Sequence, residues 1–456
     1  MHFAQFYQPG LAHCSYILGN GKECVVVDPA RDISPYLKQA KEWGMKIVGI
    51  LETHLHADFI SGHMELQKET GATIYAPSTA NCTFDHKSLQ DEEEFTLAGF
   101  KFKLWETPGH TPDCAVYLVT DPGRDNEPVL TFTGDTLFIG DVGRPDLFPD
   151  KKEKLAKDLF KSIKRLKTLP DHMEVYPAHG MGSLCGRDLS AKLSSTIGTE
   201  KRANYALQYD NLEEFKEGIL AGMPDAPDHF ARCSEINRKG PVTVDQLAKP
   251  SPKAPGEFAE LMEKGYLALD IRSYLAFAAG HIPASYSISA AGNLPTFAGW
   301  ILPPEKPILL ISPDEKTVEQ AVQKLQSVGL AKVEGFLEGG MVSWINSGMP
   351  NQQVRTISIE ELKDKMEKDK PLVLDNRARG EYETSHIQGT ILAPTPDIRH
   401  RHQEWSPDKP IFTLCNTSNR SMTAASLLQQ RGFKKVYNVL GGTTAWSNAG
   451  YPMEEE

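Results

Sequence analysis

The stretch Glu52-Thr53-His54-Leu55-His56-Ala57-Asp58-Phe59-Ile60-Ser61-Gly62-His63 decides the fold of the first part of this chain. It follows an apolar run, residues 47–51, that predicts a buried strand. Two histidines two positions apart, with a carboxylate two further on, suit a loop leaving a strand end, because a helix would space them three or four apart. Three metal-capable side chains within this short loop predict a metal site.

The Thr-His-x-His-x-Asp motif at residues 53–58 is similar to the signature of the metallo-β-lactamase superfamily. Three later segments resemble the other signatures of that family, in the same order: 107–111, 132–136 and 176–180. Helices that alternate with strands between residues 33 and 75 fit a layered α/β architecture. The resemblance implies an αββα sandwich, and we expect it to occupy residues 1–240.

The residue after the motif aspartate bears on the number of metals. Two-metal members of the family, such as glyoxalase II, carry histidine there, whereas this chain carries Phe59, which cannot ligate. We therefore expect one metal per chain. The chain most resembles the persulfide dioxygenase branch, which implies Fe(II) held by His54, His110 and Asp135. Two imidazoles and one carboxylate with open positions opposite are the usual ligands of oxygen-activating non-haem iron.

The same resemblance implies supporting roles for the remaining motif residues. His56, Asp58 and His179 are expected to orient the ligands or to line the substrate pocket. Arg144 lies in a loop similar to one beside the metal in persulfide dioxygenases and glyoxalases. Its guanidinium could clamp an anionic substrate or pair internally with Asp146, and both possibilities stay open.

An internal repeat with a period near 105 residues follows. Leu269-Asp270-Ile271-Arg272 corresponds to Leu374-Asp375-Asn376-Arg377, and further pairs of segments match as far as Trp344 and Trp446. Strands alternating with helices predict a small parallel α/β domain present twice, at 241–352 and 353–456. The proline-rich segment 249–255 is expected to be a linker or a loop insertion.

The repeat resembles the rhodanese family. In the second copy, the six residues 415–420 follow an apolar strand and lead into a helix, so backbone N–H groups can cradle an anion and favour Cys415 as a thiolate. The resemblance implies that Cys415 carries a persulfide and that Arg420 pairs with a sulfite or thiosulfate oxygen. The first copy has Ser312 and Thr317 at these positions, so we expect an inactive spacer or dimerisation domain.

Composition excludes several classes of function. The net charge is −11 and no Lys/Arg block occurs, which argues against a nucleic-acid partner. No segment approaches the roughly 18 apolar residues of a membrane span. Seven scattered cysteines argue against a disulfide framework, so we expect a cytoplasmic protein. A homo-oligomer, dimer or tetramer, is also expected. The roles of Cys14, Cys24, Cys114 and Cys185 stay open.

Together the resemblances point to the persulfide dioxygenase–rhodanese fusions of bacterial sulfide detoxification. They imply oxidation of a low-molecular-weight thiol persulfide with O2 to sulfite, then combination with sulfane sulfur to give thiosulfate. One alternative is a glyoxalase II-like zinc thioester hydrolase with an appended rhodanese, which leaves Phe59 unexplained. Another is a sulfur-relay protein that delivers sulfane sulfur to a protein acceptor. The residues do not fix which thiol carries the persulfide.

Overall fold

The computed structural model describes residues 1–187, 189–223 and 226–455. They form two compact units. The first comprises residues 1–246 together with 326–329, and the second comprises 247–325 and the residues from 330 onward.

The first unit begins with a mixed six-stranded sheet. Its strands are β1 (His2–Gln8), β2 (His13–Asn20), β3 (Glu23–Val27), β4 (Lys46–Leu51), β5 (Thr73–Pro77) and β6 (Lys87–Leu89), which lie in sequence order. β2 and β3 pair antiparallel across a turn at Asn20-Gly21 and form a hairpin. The connections after β3 and β4 contain α1 (Ser34–Trp43) and α2 (His63–Thr70), as the sequence predicts.

A second six-stranded sheet completes the sandwich. Its strands are β7 (Glu94–Leu97), β8 (Phe100–Glu106), β9 (Ala115–Thr120), β10 (Leu130–Gly134), β11 (Glu174–Pro177) and β12 (Ser195–Thr196), again in sequence order across the sheet. The helices of this half are α3 (Lys152–Leu166), α4 (Ile197–Ala203), α5 (Leu212–Leu220) and α6 (His229–Lys239).

Three apolar layers hold this unit together. Side chains from both sheets, including Tyr16, Phe102 and Phe132, form one buried cluster between them. A second cluster packs α1 and α2 on the outer face of the first sheet, and a third packs α3 and α5 on the outer face of the second. Burial on both faces of each sheet explains the αββα order and confirms the predicted sandwich.

The second unit contains two parallel five-stranded sheets of the same topology. The first has β13 (Ser251–Lys253), β14 (Leu267–Asp270), β15 (Tyr286–Ser287), β16 (Ile308–Ile311) and β17 (Val333–Leu337), in the order β13-β17-β16-β14-β15. Its helices are α7 (Pro255–Glu263), α8 (Tyr274–Ala279), α9 (Leu294–Ile301), α10 (Glu315–Gln326) and α11 (Gly340–Asn346).

The second sheet repeats this arrangement. Its strands are β18 (Arg355–Ile357), β19 (Leu372–Asp375), β20 (Ile391–Leu392), β21 (Ile411–Leu414) and β22 (Val436–Val439), in the order β18-β22-β21-β19-β20. Its helices are α12 (Ile359–Asp369), α13 (Arg379–Thr384), α14 (Ile398–Arg401), α15 (Asn419–Gln430) and α16 (Gly442–Asn448). The predicted pair of parallel α/β domains is confirmed.

The proline-rich segment 249–255 differs from the expectation of a linker or loop insertion. It contains the edge strand β13, which pairs with β17, and the start of α7. Proline is compatible with this position because an edge strand bonds on one side only, and Pro255 occupies the first turn of a helix.

Two simpler features of the chain accompany the fold. Among the described residues, every helix is too short or too polar to cross a bilayer. All seven cysteines are free thiols, as their scattered positions predict.

Candidate metal and sulfur-transfer sites

Three loops of the first unit bring His54, His110 and Asp135 together. His54 follows β4, His110 lies in the turn between β8 and β9, and Asp135 directly follows β10. All three side chains are buried, and one ligand atom from each lies within 4.8 Å of the others. Gly143 packs on this group so closely that a Cβ there would overlap the carbonyl oxygen of Asp135.

The spacing of these atoms fits a divalent metal. The Nε2 atom of His110 lies 3.4 Å from Oδ2 of Asp135, and Nε2 of His54 lies 3.7 Å from the same oxygen. Ligands about 2.1 Å from one ion are separated from each other by about 3.0 to 3.4 Å at octahedral or tetrahedral angles. A small inward movement of His54 would complete such a set.

Hydrogen bonds at the other ring nitrogens set the direction of both imidazoles. Nδ1 of His110 donates to the carbonyl oxygen of Arg144 at 2.9 Å. The Thr53 hydroxyl donates to Asp28 and so accepts from Nδ1 of His54, at 2.9 and 3.0 Å. Both Nε2 lone pairs therefore point to the shared centre. Neither Nε2 has a hydrogen-bond partner among the described residues, as expected of metal ligands.

His179 and Asp58 adjoin this centre. Nδ1 of His179 donates to Asp135 at 2.8 Å, and its Nε2 lies 2.9 Å from Oδ2 of Asp58. Burial alone would lower the pKa of His179, but the two carboxylates outweigh it and raise that pKa well above its ordinary value. His179 thus holds the Asp135 carboxylate in place. Cys185 lies beside this pair, and burial raises the pKa of its thiol well above the usual range.

His56 faces a different group. Its Nε2 lies 3.2 Å from Asp28 and 3.7 Å from Glu52, both buried carboxylates. Asp28 also accepts from the backbone and hydroxyl of Thr53, the neighbour of His54. His56 therefore contacts the carboxylate that holds Thr53, the residue before His54, which is compatible with the orienting role expected of His56.

Phe59 and His13 form an aromatic wall at the site. Phe59 is completely buried, and its ring centroid lies 4.1 Å from that of His13. Neither nitrogen of His13 has a hydrogen-bond partner among the described residues, and burial lowers the pKa of His13 well below its usual value. The sequence analysis did not identify His13. It lies on β2, far from every motif, and reaches the site through a backbone bridge to His179.

Of the two arrangements left open for Arg144, the structure shows the internal ion pair. Its Nε and Nη2 donate to the two oxygens of Asp146 at 2.7 and 2.8 Å, and Nη1 donates to the carbonyl of Leu184. The side chain is 1% exposed. Binding of a substrate by Arg144 would require this pair to open, so that role stays a prediction.

In the second repeat, Cys415 lies between β21 and α15. The Ser421 hydroxyl donates to its sulfur at 3.4 Å. Ser418, at the start of α15, has φ +71° and donates its hydroxyl to the Val439 carbonyl rather than capping the helix. A Cβ at Gly442 would overlap the carbonyl oxygen of Cys415, so glycine is required for this close approach. The helix N-terminus thus faces the loop that starts at the thiol.

Arg420 pairs with a residue that the sequence analysis missed, Glu381. Its Nη1 and Nη2 donate to the two carboxylate oxygens, the second at 2.8 Å. Burial would raise the pKa of Glu381, but Arg420 outweighs it and lowers that pKa to about 2. Glu381 lies on α13, more than thirty residues before the loop, and no local pattern signals the contact.

The corresponding loop of the first repeat is built differently. Asp314 accepts from the backbone N–H of Thr317 at 2.7 Å, and the Ser312 hydroxyl donates to the Asp314 carbonyl at 2.8 Å. A carboxylate of the chain itself therefore occupies the N-terminus of α10. This loop lacks both the thiol and the arginine of its counterpart.

Comparison with known proteins identifies the family. The sequence profile of the metallo-β-lactamase superfamily matches residues 9–179. A solved metallo-β-lactamase from Staphylococcus aureus subsp. aureus COL is 34% identical, with a TM-score of 0.67, over 74% of this chain and 98% of that one. The chain belongs to the metallo-β-lactamase superfamily. The profile of the rhodanese-like domain matches residues 254–347 and 358–449, so this superfamily member also carries two rhodanese-like domains.

Two curated relatives of the superfamily domain bear different names. A hydroxyacylglutathione hydrolase of Prochlorococcus marinus (strain MIT 9211) is 33% identical over 43% of this chain and 85% of its own length. The mitochondrial persulfide dioxygenase of Homo sapiens is 28% identical over 46% of this chain and 77% of its own length. This superfamily member thus resembles both a hydrolase and a dioxygenase.

Proposed function

We propose that this protein is a non-haem Fe(II) persulfide dioxygenase coupled to a sulfurtransferase. It would oxidise a low-molecular-weight thiol persulfide with O2 to sulfite, and its second rhodanese-like domain would combine sulfite with sulfane sulfur as thiosulfate. The observation that carries the proposal is that a single chain contains both a cluster of two histidines and one carboxylate and, in a separate domain, the Cys415 thiol in the loop before a helix N-terminus. Similarity to a persulfide dioxygenase supports it.

We assign the dioxygenase to residues 1–240, the inactive rhodanese-like domain to 241–352 and the active one to 353–456. In the dioxygenase, His54, His110 and Asp135 would hold the iron, and we expect one ion per chain. The ion would supply a site where the persulfide and O2 are activated together. Phe59 and His13 would shield one side of that site from water, and His179 would keep Asp135 ionised and oriented.

The sulfurtransferase step belongs to Cys415. Its thiolate attacks the outer sulfur of a second persulfide molecule, the S–S bond breaks, and the electron pair leaves with the carrier thiol. Cys415 then carries the outer sulfur as a persulfide. The lone pair of sulfite attacks that outer sulfur, which leaves as thiosulfate and returns Cys415 to the thiolate. Ser421, which donates to this sulfur, would stabilise the thiolate in both half-reactions.

The test is oxygen uptake by anaerobically Fe(II)-loaded protein given a low-molecular-weight persulfide. We expect one sulfite equivalent, free or as thiosulfate, for each O2 consumed. His110→Ala should lose bound iron and oxygen uptake, while sulfur loading of Cys415 continues. Iron content and full uptake retained in His110→Ala would remove His110 from the ligand set.

A thioester hydrolase is the second candidate, because the hydrolase relative is the more similar of the two in identity. A metal-bound hydroxide would then attack a thioester carbonyl. Absence of oxygen uptake, together with hydrolysis of a glutathione thioester by the zinc-loaded chain, would favour this candidate. Phe59 counts against it, because phenylalanine cannot supply the histidine ligand expected after the motif aspartate in a two-metal hydrolase.

A further inference from the structure

Glu381 joins three elements around the sulfur-transfer loop. Its carboxylate accepts from both terminal nitrogens of Arg420 and from the side-chain amide of Asn416, the latter at 2.8 Å. It also accepts from the backbone N–H of Ala378 at 3.0 Å, at the start of α13. Asn416 in turn accepts from the Thr443 hydroxyl at 2.8 Å. One carboxylate therefore ties the second and the last loop residues to the body of the domain.

The geometry of the Arg420 pair leaves part of the guanidinium free for a ligand. Glu381 occupies the end-on edge, formed by Nη1 and Nη2. Within the described residues, the hydrogen bonds of the Arg420 side chain all go to Glu381. The side edge, formed by Nε and the second N–H of one terminal nitrogen, can still bind two oxygens of an anion in a fork.

The first repeat supports this grouping independently. At the positions that correspond to Cys415, Arg420 and Glu381 it has Ser312, Thr317 and Ala276. All three members are absent together, although the rest of the fold is retained. This is expected if the carboxylate orients the arginine and the arginine acts in sulfur transfer.

We propose that Glu381 is a positioning residue that aims Arg420 at the oxygens of a sulfur oxyanion, so that it controls the sulfite half-reaction but not the loading of Cys415. The inference rests on the sulfurtransferase activity proposed above. Loading brings a thiol persulfide whose reacting sulfur carries no oxygens. Sulfite brings three oxygens, and its sulfur attacks the outer sulfur of the Cys415 persulfide. Recognition by a guanidinium fork therefore matters for sulfite and thiosulfate alone.

The experiment measures the two half-reactions separately in the full-length chain under anaerobic conditions. Loading is followed as the gain of one sulfur on Cys415 by mass spectrometry. The preloaded protein is then mixed with increasing sulfite, and thiosulfate formation gives the half-saturating concentration. The variants are Glu381→Gln and Glu381→Ala. The matched control is Glu383→Gln, on the same helix, whose partner is Arg379 at 3.6 Å.

We expect Glu381→Gln to raise the half-saturating sulfite concentration about 10-fold, and Glu381→Ala at least as much. Without the carboxylate, the Arg420 guanidinium is no longer held in one orientation, so ordering it opposes sulfite binding. Loading rates should match wild type in both, and Glu383→Gln should match wild type throughout. An unchanged sulfite dependence in both Glu381 variants would overturn the inference. Equal damage to loading and to the sulfite step would also overturn it, because it would reveal a purely structural role.

Failure of the proposed function would look different. If wild-type Cys415 cannot be loaded by any low-molecular-weight persulfide tried, the sulfurtransferase itself is wrong, whatever the variants do. If wild type loads and reacts with sulfite while the Glu381 variants behave identically to it, only the positioning role is wrong.

Discussion

The two rhodanese-like repeats share their framework and differ in their chemistry. Both have the same strand order, and in both an aspartate at the end of the second strand pairs with an arginine two residues later. Both close with a tryptophan whose indole N–H donates to a proline carbonyl, from Trp344 to Pro350 and from Trp446 to Pro452. These shared contacts build the fold.

The differences that bear on sulfur chemistry lie in the loop after the fourth strand and in the residues that contact it. In the first repeat, Asp314 binds the helix N-terminus that Ser418 leaves uncapped in the second. The buried aspartate–arginine pair is retained in the first repeat, where the loop lacks the thiol and the arginine of its counterpart. A rhodanese-like fold therefore does not require its reactive loop, and loop residues can change without loss of the framework.

The largest expected effect separates the two loops. Cys415→Ser should abolish persulfide loading of the second unit, because a serine hydroxyl is not ionised near neutral pH and cannot carry a persulfide sulfur. Adding Ser312→Cys to that variant should not restore loading, because Asp314 and Glu315 repel an anion at the first loop. Mass spectrometry after incubation with a persulfide checks both. Loading at residue 312 would contradict the account of the first repeat.

The next effect tests the shared framework. Arg272→Ala and Arg377→Ala should each destabilise the protein by about 3 kcal/mol, because each leaves a buried aspartate without its ion-pair partner. Urea unfolding provides the measurement. Arg379→Ala, which removes an exposed pair, should change stability by less than about 0.5 kcal/mol. A large loss in one repeat and none in the other would show that the two pairs are not equivalent.

A smaller effect concerns the contact between the repeats. The Thr423 hydroxyl on α15 donates to the carbonyl of Ser287 in the first repeat at 2.6 Å. Thr423→Val should cost about 1 kcal/mol, because it leaves that buried carbonyl without this donor. Thr423→Ser keeps the hydroxyl and should stay close to wild type in the same unfolding experiment. Equal losses in both variants would assign the effect to packing instead.

The last effect is pH-dependent and concerns the ion pair of the second repeat. Arg420 lowers the pKa of Glu381 from 4.5 to about 2, so the pair's stabilisation is complete above about pH 4.5 and is lost as the pH falls toward 2. The stability difference between wild type and Glu381→Gln should therefore shrink over that interval. Urea midpoints measured from pH 6 downward test this. A difference that stays constant with pH would contradict the assigned pair.

Sequence patterns predicted the parts of the site that are local. The alternation of strand, loop and helix around residues 46–70 was correct, because residues 47–51 are apolar and the histidines follow at a strand end. The internal repeat and its parallel sheets were also predicted, since the matching segments retain their order. Phe59 was singled out because two-metal members of the resembled family carry histidine at that position, and a phenyl ring cannot ligate a metal.

Contacts between distant segments could not be predicted in this way. His13 reaches the loops that carry His54 and His179 because its backbone bridges to that of His179. The distance of His13 from the motifs along the sequence gives no sign of this contact. Glu381 meets Arg420 because α13 and α15 begin at the same sheet edge. For Arg144, the sequence allowed two partners, an anionic substrate or Asp146. Only the folded loop shows the pair with Asp146.

The most direct test of the central claim compares wild type with Cys415→Ser in one oxygen-uptake experiment. Both proteins are loaded with Fe(II), given the same persulfide, and compared with an enzyme-free reaction that forms thiosulfate spontaneously. We predict equal oxygen uptake, with thiosulfate accumulating for wild type and sulfite for Cys415→Ser. No uptake by iron-loaded wild type, or the same thiosulfate yield from both proteins, would contradict the account.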